Sequence, residues 1–324
     1  MNQPSLSKIE KYSKPINKTS KILYSFFRIF ILLAIGYIII YPLIQMIVTA
    51  IKDKNAFFDA ARVWLPSGYN IKFNFSMAVD AIDYWDGLKS TLLYQIVSAL
   101  IEVFTCSIAA YGFSRFKFKF KGICLVGLFI TIIIPEAMVI IPRMVNYANM
   151  DFLGILGLLK NVIGTDLRPN IIGTPLAFWL PSLLAMGLRS GILIFIYMQF
   201  FNGLPKELEE AAWVDGANPF KTFISIIIPS SGVVITTVLV FSIIWHWNDT
   251  FLASMYVDKG YPLAVNLNRI ITHLNSMGYY LDVNVEAQAI LMAACILFIA
   301  PPLLFYMFMQ RRFIESIDRV GIVG

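Results

Sequence analysis

Long apolar stretches constrain what this chain can fold into more than any other feature of its sequence. A helix of about 20 apolar residues spans a lipid bilayer. Six stretches reach that length: residues 24–48, 90–113, 122–145, 179–201, 223–247 and 287–309. Only 14% of the residues are charged, against roughly 25% in soluble domains. The sequence therefore predicts an all-α integral membrane protein with six transmembrane helices.

The segments outside these stretches leave no room for a large soluble domain. The loops at residues 52–89 and 249–286 are long enough only for small caps outside the membrane. We therefore expect one transmembrane domain over residues 24–310, with tails at 1–23 and 311–324. The first apolar stretch has full span length and a long polar lead, so it predicts a signal anchor rather than a cleaved signal peptide.

Basic residues are unevenly distributed along the chain, and this distribution predicts its orientation in the membrane. Lysines and arginines concentrate before the first apolar stretch, between the second and third, and after the last. The alternate loops are acidic or mixed. Because cytoplasmic loops carry an excess of Lys and Arg, both termini and residues 202–222 are expected in the cytoplasm. The net charge of +6 therefore reflects membrane topology, and no nucleic-acid partner is expected.

A polar segment at residues 203–222 separates the fourth and fifth apolar stretches, and its composition predicts two short helices. Glutamates open the first helix, where negative charge favours the positive end of the helix dipole. Two alanines, which are strong helix formers, continue it. Asp215-Gly216 then ends this helix, and Asn218-Pro219 begins the next as N-cap and first helical residue. A structured loop between membrane helices is expected to be a docking surface.

The same segment resembles the EAA loop in the membrane subunits of ABC importers. The consensus of that loop is E-A-A-x3-G-x9-I-x-L-P. The corresponding residues here are Glu210, Ala211, Ala212, Gly216, Ile226, Ile228 and Pro229. The departure from the consensus is isoleucine for leucine at position 228, which keeps the apolar character. A match at fixed spacing over 20 positions is far more specific than a short glycine motif.

Other parts of the chain resemble the permease subunits of carbohydrate-uptake ABC importers of the maltose/multiple-sugar class, in particular the shorter of their two subunits. The matching stretches are Ala109–Phe116 (AAYGFSRF), Ile134-Pro135, Ile141-Pro142, Gln199–Pro205 (QFFNGLP), Trp247–Asp249 (WND) and Gln310–Gly324. The chain departs from these relatives at Lys89-Ser90, where many have Asn-Ser/Thr, and in a longer segment at 161–178. The resemblance implies the six-helix type I importer fold in the plasma membrane of a bacterium.

The resemblance also implies partners. Such a permease pairs with a second permease subunit, rests on two ATPase subunits and receives a sugar from an extracellular binding protein. The chain contains no Gly-Lys-Ser/Thr sequence and so no P-loop. ATP and Mg²⁺ are therefore expected on the partner ATPase. The chain itself is expected to be a transport subunit without a cofactor, not an enzyme.

Six residues are predicted to couple the ATPase to the membrane helices. They are Glu210, Ala211, Ala212, Asp215, Gly216 and Pro229. Glu210 is expected to hydrogen-bond or pair in a groove of the ATPase. Gly216 is expected to supply the backbone break that sets the angle between the two short helices. Pro229 is expected to kink the start of the fifth membrane helix.

Three ionisable residues, Glu102, Glu136 and Arg189, lie inside the predicted membrane helices. Charges in that position are costly and mark either a structural ion pair or a polar lining of the substrate path. Arg189 is predicted to pair with Glu102 or Glu136 near the middle of the membrane, because all three lie at similar depths.

Two tryptophans end the fifth apolar stretch, and two interpretations of them are open. Trp245 and Trp247, with Asn248 beside them, either provide stacking platforms for sugar rings or belong to the aromatic belt at the outer membrane interface.

Two further interpretations of the whole chain are open. A permease for a non-sugar solute, such as a polyol or a glycerol phosphate, would share all these motifs. A proton-coupled secondary transporter would explain Glu102 and Glu136 but gives no reason for the EAA-like segment. A metal site finds no support, because the chain has only two histidines and its three cysteines all fall in apolar stretches.

Overall fold

The structure, a computed structural model, describes residues 18–59, 62, 64–151, 154–158 and 164–321. Residues 1–17 of the predicted N-terminal tail and 322–324 of the C-terminal tail lie outside the described residues. Within the described ranges, pairing of extended segments is limited to one bridge between Lys52 and Tyr69. The described fold is therefore all-helical, as predicted.

The helices are numbered in chain order. They are α1 (Lys18–Ile51), α2 (Ile71–Ala81), α3 (Tyr84–Arg115), α4 (Lys121–Ile133), α5 (Glu136–Ala148), α6 (Leu176–Leu183), α7 (Ser190–Gly203), α8 (Glu207–Val214), α9 (Pro219–Ser230), α10 (Gly232–Trp247), α11 (Phe251–Tyr256), α12 (Leu263–Asn268), α13 (Ile270–Ser276) and α14 (Val285–Gly321).

Three of the described helices, α1, α3 and α14, are each long and apolar enough to cross a membrane. They contain the first, second and last of the predicted stretches, so the prediction of a continuous helix is confirmed for these three. By length and composition the described helices give three candidate crossings, or up to five when each of two bent pairs counts as one crossing.

The third apolar stretch, 122–145, was predicted as one helix, and this prediction is wrong. The chain breaks between α4 and α5, and the two helix axes are bent by 105°. The backbone is extended at Ile134 (ψ 120°) and Pro135 (ψ 141°). The ring of a proline disfavours helical backbone in the residue before it and removes an N–H from the helix. The Ile134-Pro135 pair is therefore the physical cause of the break.

The fourth stretch, 179–201, is also interrupted where one helix was predicted. α6 ends at Leu183, α7 begins at Ser190, and the turn between them contains two non-glycine residues with left-handed backbone, Ala185 (φ 55°) and Arg189 (φ 58°). The 14 residues of α7 are about 21 Å long at ~1.5 Å per residue. That is less than the hydrocarbon thickness of ~30 Å, so α7 alone is short for a crossing.

The fifth stretch, 223–247, bends at Ser231, where α9 meets α10 at 82°. Pro229 was expected to kink this region, and the bend lies two residues beyond it. The Ser231 hydroxyl donates to the Ile227 carbonyl at 2.5 Å, which satisfies one carbonyl oxygen near the break. Pro229 has no backbone N–H, and the missing hydrogen bond weakens the helix close to this bend.

The two long loops were predicted to form small caps outside the membrane. In the structure they pack together into a single cap. α2 and α3 from the first loop contact α12 and α13 from the second. The Asn266 side chain donates to the Ile82 carbonyl at 2.9 Å, and the His273 ring lies 2.9 Å from the Ala81 carbonyl. These contacts between side chain and backbone fix the helices of one loop against the other.

The helices pack around three apolar clusters. One joins α2, α12, α13 and α14, a second joins α3, α7 and α10, and a third lies among α5, α6 and α11. α3 contacts α6, α7 and α10, so it lies at the centre of the interrupted helices. By contrast, the apolar side chains of α1 from Ile22 to Ile40 are largely exposed, as expected for a surface that faces lipid or another subunit.

Candidate functional site

The first candidate surface is the segment 203–222, which we call the α8 loop. α8 ends where Gly216 adopts left-handed backbone, with φ 78°. The amide of Ala217 then reaches back to the carbonyl of Ala212 at 2.9 Å, a bond typical of a glycine-terminated helix. Asn218 begins α9 by accepting a backbone amide at 2.8 Å. The two short helices and the turn between them match the sequence prediction.

The α8 loop presents large apolar side chains on its surface. They are Leu208, Trp213, Val214 and Phe220. Most of the predicted coupling residues are also exposed: Glu210, Ala211, Asp215, Gly216 and Pro229. Ala212 is the exception, since it is buried against the rest of the chain. Exposed apolar side chains among charged ones are typical of a protein-binding surface.

A buried ion pair attaches the α8 loop to the end of α3. The Arg115 Nε lies 3.1 Å from Glu209 Oε1, and the two side chains are only 5% and 4% exposed. The same guanidinium donates to the Leu204 carbonyl at 2.8 Å. From the sequence, Arg115 is one of the basic residues that predict the topology and Glu209 one of the glutamates that open α8, so this pair was not predicted. The arginine of the AAYGFSRF stretch was the available signal.

The second candidate site is a cavity of about 590 Å³ at the helix breaks, which we call the break cavity. It is lined by the end of α4, the start of α7 and the end of α10. Four predicted path residues line it, namely Glu136, Arg189, Trp245 and Asn248, together with Asp249. A neighbouring cavity of about 660 Å³ shares Glu136 and Arg189. Interrupted helices are tolerated at membrane depth where they line such a space or are buried in protein.

Arg189 does not pair with Glu102 or Glu136, so the predicted ion pair is wrong. Its guanidinium lies over the Trp245 ring, 4.9 Å from the ring centroid. The turn before α7 holds Arg189 in left-handed backbone, and the side chain is exposed at the edge of the break cavity. Both carboxylates have other partners, which explains why neither reaches it.

Glu102 is fully buried in α3, hydrogen-bonded to α7 and close to α10. It accepts a hydrogen bond from the Ser190 hydroxyl of α7, and its Oε2 lies 3.4 Å from His246 Nε2 of α10. His246 Nδ1 lies 2.9 Å from the Ser242 carbonyl, so this nitrogen carries a hydrogen. Glu102 does not line the break cavity. It therefore ties α3, α7 and α10 together instead of lining the cavity.

Glu136 opens α5 and forms an ion pair with Arg143, which lies two turns further along the same helix. Its Oε2 lies 2.9 Å from Arg143 Nη1, and both side chains are partly exposed. Glu136 lines the break cavity, and Arg143 lines the neighbouring one. Arg143 was not among the predicted path residues, although it lies two turns from Glu136 on the same face of α5.

The two tryptophans occupy different environments. Trp247 is 4% exposed, and its indole N–H donates to the Phe298 carbonyl of α14 at 3.2 Å. It is a core residue, so both interpretations offered for it are wrong. Trp245 lines the break cavity and stacks on Phe241 at 5.4 Å between ring centroids. Asn248 lines the same cavity and donates to the Ile244 carbonyl.

Asp249, at the edge of the break cavity, caps α11. Its carboxylate accepts the backbone amides of Leu252 at 3.0 Å and Ala253 at 3.2 Å, and the Gln95 side chain at 3.2 Å. These bonds hold the chain after α10 against α3. The Trp-Asn-Asp stretch thus supplies one core residue, one cavity residue and one helix cap.

Membrane-length helices, interrupted helices around a cavity with charged side chains and a loop with exposed apolar side chains are together typical of a membrane transport protein. Residues 13–319 match the family described as the binding-protein-dependent transport system inner membrane component. The chain belongs to this family. The resemblance to the permease subunits of carbohydrate-uptake ABC importers is thereby confirmed.

Individual relatives agree with this assignment. The chain is 25% identical over 252 residues to the alpha-glucoside transport system permease protein AglG of Rhizobium meliloti (strain 1021), covering 78% of this chain and 60% of that protein. It is 25% identical over 286 residues to the sn-glycerol-3-phosphate transport system permease protein UgpE of Shigella flexneri serotype 5b (strain 8401), covering 86% of this chain and 91% of that protein.

A solved structure shares the fold. It is described as a bacterial ABC transporter involved in the import of the acidic polysaccharide alginate. The TM-score is 0.72 at 18% sequence identity, and the similarity covers 93% of this chain and 100% of the other. Together with the family match, this establishes a permease fold.

Proposed function

We propose that the chain is a permease subunit of an ATP-driven importer that moves a sugar or oligosaccharide across the bacterial plasma membrane. The observation that carries this proposal is the family match over nearly the whole chain, on a fold with a cavity, lined in part by charged side chains, among interrupted membrane helices. The relatives are named for the transport of alpha-glucosides and of sn-glycerol 3-phosphate, so carbohydrate-related solutes are the class to test.

We propose six membrane crossings with both termini in the cytoplasm. α1, α3 and α14 supply three of them, and the α4–α5, α6–α7 and α9–α10 pairs supply the others. α7 is apolar but short, so its crossing needs the residues of α6. An even number of crossings puts both termini on one side, and the distribution of Lys and Arg selects the cytoplasmic side.

The α8 loop is the proposed docking site of the ATPase subunits. Its exposed apolar side chains fit a groove on a partner, and Glu210, on the exposed side, is placed to bond there. Closure of the ATPase dimer would then shift the loop and the helices attached to it. Such a shift favours one state of the permease only through contacts that differ between the two states. ATP and Mg²⁺ bind to the ATPase in this proposal.

The largely exposed apolar surface of α1 is the proposed contact with the second permease subunit. In an isolated chain this surface would face lipid, which a membrane permits. The extracellular binding protein would deliver the sugar to the side opposite the α8 loop, where the cap of α2, α12 and α13 lies.

The proposal is tested by reconstitution in proteoliposomes. This chain, the second permease and the ATPase subunits, with the binding protein, should show sugar-stimulated ATPase activity and sugar uptake. The chain alone should hydrolyse no ATP. Uptake that persists without the ATPase subunits, driven by a proton gradient, would support the secondary transporter and contradict the importer.

A non-sugar solute is the second candidate. The relative named for sn-glycerol 3-phosphate transport favours it. The same reconstitution distinguishes the two, because glycerol 3-phosphate and a polyol can be offered in place of the sugars. The proton-relay function is less well supported, since Glu102 lies outside the break cavity and Glu136 is paired with Arg143.

A further inference from the structure

We propose that the break cavity binds an acidic group of the substrate through Arg189, so that the transported solute is a sugar bearing a carboxylate or a phosphate. This inference rests on the proposed function, because it takes the cavity to lie on the substrate path. It goes further in assigning the charge of the substrate and the residue that recognises it.

Two carboxylates line the break cavity, and both already have partners within the protein. Glu136 forms the 2.9 Å ion pair with Arg143. Asp249 accepts two backbone amides and the Gln95 side chain, and it is buried. Neither carboxylate is therefore available to neutralise a further cation.

Arg189 contributes a positive charge to the lining of the break cavity. Among the described residues it has no carboxylate within ion-pair distance, and its guanidinium carbon lies over the Trp245 ring, 4.9 Å from the ring centroid. This contact leaves the guanidinium N–H groups without a hydrogen-bond partner among the described residues. Its fork of donors matches the two oxygens of a carboxylate or phosphate. The free donors of Arg189 lie at the edge of the cavity.

An anion compensates the charge of Arg189, whereas neutral hydroxyl groups do not. A neutral sugar could accept hydrogen bonds from Arg189 but would leave its charge uncompensated. Charged side chains at membrane depth are costly unless they are paired or hydrated. An acidic substrate group would supply the missing counter-charge whenever the cavity is filled, and the exposed face of Trp245 with Asn248 would contact the rest of the sugar.

The test uses the complete importer with its binding protein in proteoliposomes. The probes are trigalacturonate, glucose 6-phosphate and, as the neutral counterpart, maltotriose. Uptake and probe-stimulated ATPase activity are measured for the wild type, Arg189→Gln and Arg189→Lys. Arg168→Gln is the control, because Arg168 does not line the break cavity, lies outside the cap of α2, α12 and α13 and is paired with Asp166 at 2.6 Å.

An acidic probe should be transported. Uptake of trigalacturonate would indicate that the acidic group is a carboxylate, and uptake of glucose 6-phosphate that it is a phosphate. Arg189→Gln should lower its uptake at least tenfold, mainly through KM. Arg189→Lys should retain more uptake than the glutamine variant, and Arg168→Gln should stay within twofold of the wild type. Assembly of the complex, measured by co-purification of the ATPase subunits, should be normal in all three variants.

Three results would overturn the inference. Wild-type uptake of maltotriose, with uptake of neither acidic probe, would show that the cavity does not select for an acidic group. Equal losses of assembled complex in Arg189→Gln and Arg189→Lys would make Arg189 a structural contact with a partner. Both of these results would leave the proposed function intact. If no probe stimulates the wild-type complex, the proposed function fails together with this inference.

Discussion

Two adjacent glutamates of the α8 loop face opposite environments. Glu209 is 3% exposed and paired with Arg115, whereas Glu210 is exposed. Successive residues of an α-helix point about 100° apart, so one of the pair can anchor the loop while the other faces a partner. The EAA resemblance singled out Glu210 as the coupling residue, but the structure gives the anchoring contact to Glu209.

Replacing these two glutamates by alanine should separate anchoring from docking. Glu209→Ala strands Arg115 in a buried site, and breaking a buried ion pair in this way costs about 3–5 kcal/mol. We expect a lower amount of folded chain in the membrane and a lower unfolding temperature of the purified chain.

Glu210→Ala is the matched variant one residue away. It should leave the amount and unfolding temperature unchanged while it weakens co-purification of the ATPase subunits. Equal unfolding temperatures for the two variants would contradict the anchoring role of Glu209.

Gly216→Val should weaken coupling through the backbone alone. A Cβ at this glycine would meet no atom within 4 Å, so no steric clash with a neighbour is expected. The left-handed backbone, with φ 78°, costs a non-glycine residue about 1–3 kcal/mol. The turn after α8 should shift, and transport should fall more than the amount of chain in the membrane.

Gly203→Val is the control, because that position is equally open and has no left-handed backbone. Gly216→Asn should be milder than Gly216→Val, since asparagine tolerates this conformation better. Normal transport and normal assembly in Gly216→Val would remove Gly216 from the coupling surface.

At the scale of helices, the apolar stretches reveal where the chain enters the membrane but not where its helices break. Hydropathy reflects the free energy of moving side chains from water into lipid. A helix break depends instead on whether the freed backbone N–H and C=O groups find other hydrogen-bond partners. Ile134-Pro135 was a visible break signal because proline acts locally. Pro229 indicated the bend at Ser231 to within two residues, whereas the break before Ser190 had no comparable signal. The buried pairs Arg115–Glu209 and Glu102–His246 join residues distant in sequence, so no local pattern reveals them.

Gly187→Ala should disrupt the turn between α6 and α7. A Cβ at this position would lie 2.7 Å from the Ser182 hydroxyl and 2.9 Å from Glu102 Oε1. The Glu102 side chain would have to move from Ser190 and His246. Overpacking of this kind costs about 1–3 kcal/mol, so the unfolding temperature of the purified chain should fall.

Gly112→Ala is the comparison, because its Cβ would meet no atom within 4 Å. It lies inside α3, where alanine is a better helix former than glycine, so the unfolding temperature should stay the same or rise. A tolerated Gly187→Ala variant would show that the close approach to Glu102 is not required.

At the scale of the whole molecule, the chain has two distinct ends. One end carries the α8 loop and the basic segment after α3, and the other carries the cap built from α2, α12 and α13. The break cavity lies among helices between them. This arrangement predicts that the two ends lie on opposite sides of the membrane.

Single cysteines should locate these ends. In a background without Cys106, Cys124 and Cys295, Lys206→Cys should be labelled by an impermeant maleimide only after the cytoplasmic side is opened. Asn275→Cys in the cap should be labelled in intact cells. Both positions are exposed, so accessibility within the chain does not limit the reaction. Labelling of Lys206→Cys from outside intact cells would invert the topology and contradict ATPase docking at the α8 loop.

The buried pair between Arg115 and Glu209 has a mechanical consequence. α8 is joined along the chain to α7 before it and to α9 after it, and the pair adds an attachment to the end of α3. A short helix held only by its chain connections can swivel about them, whereas a side-chain pair with a third helix restricts that rotation. A push on the α8 loop is therefore transmitted to α3 and α7 together, and little of the displacement is lost as bending of the linker at Leu204 to Lys206.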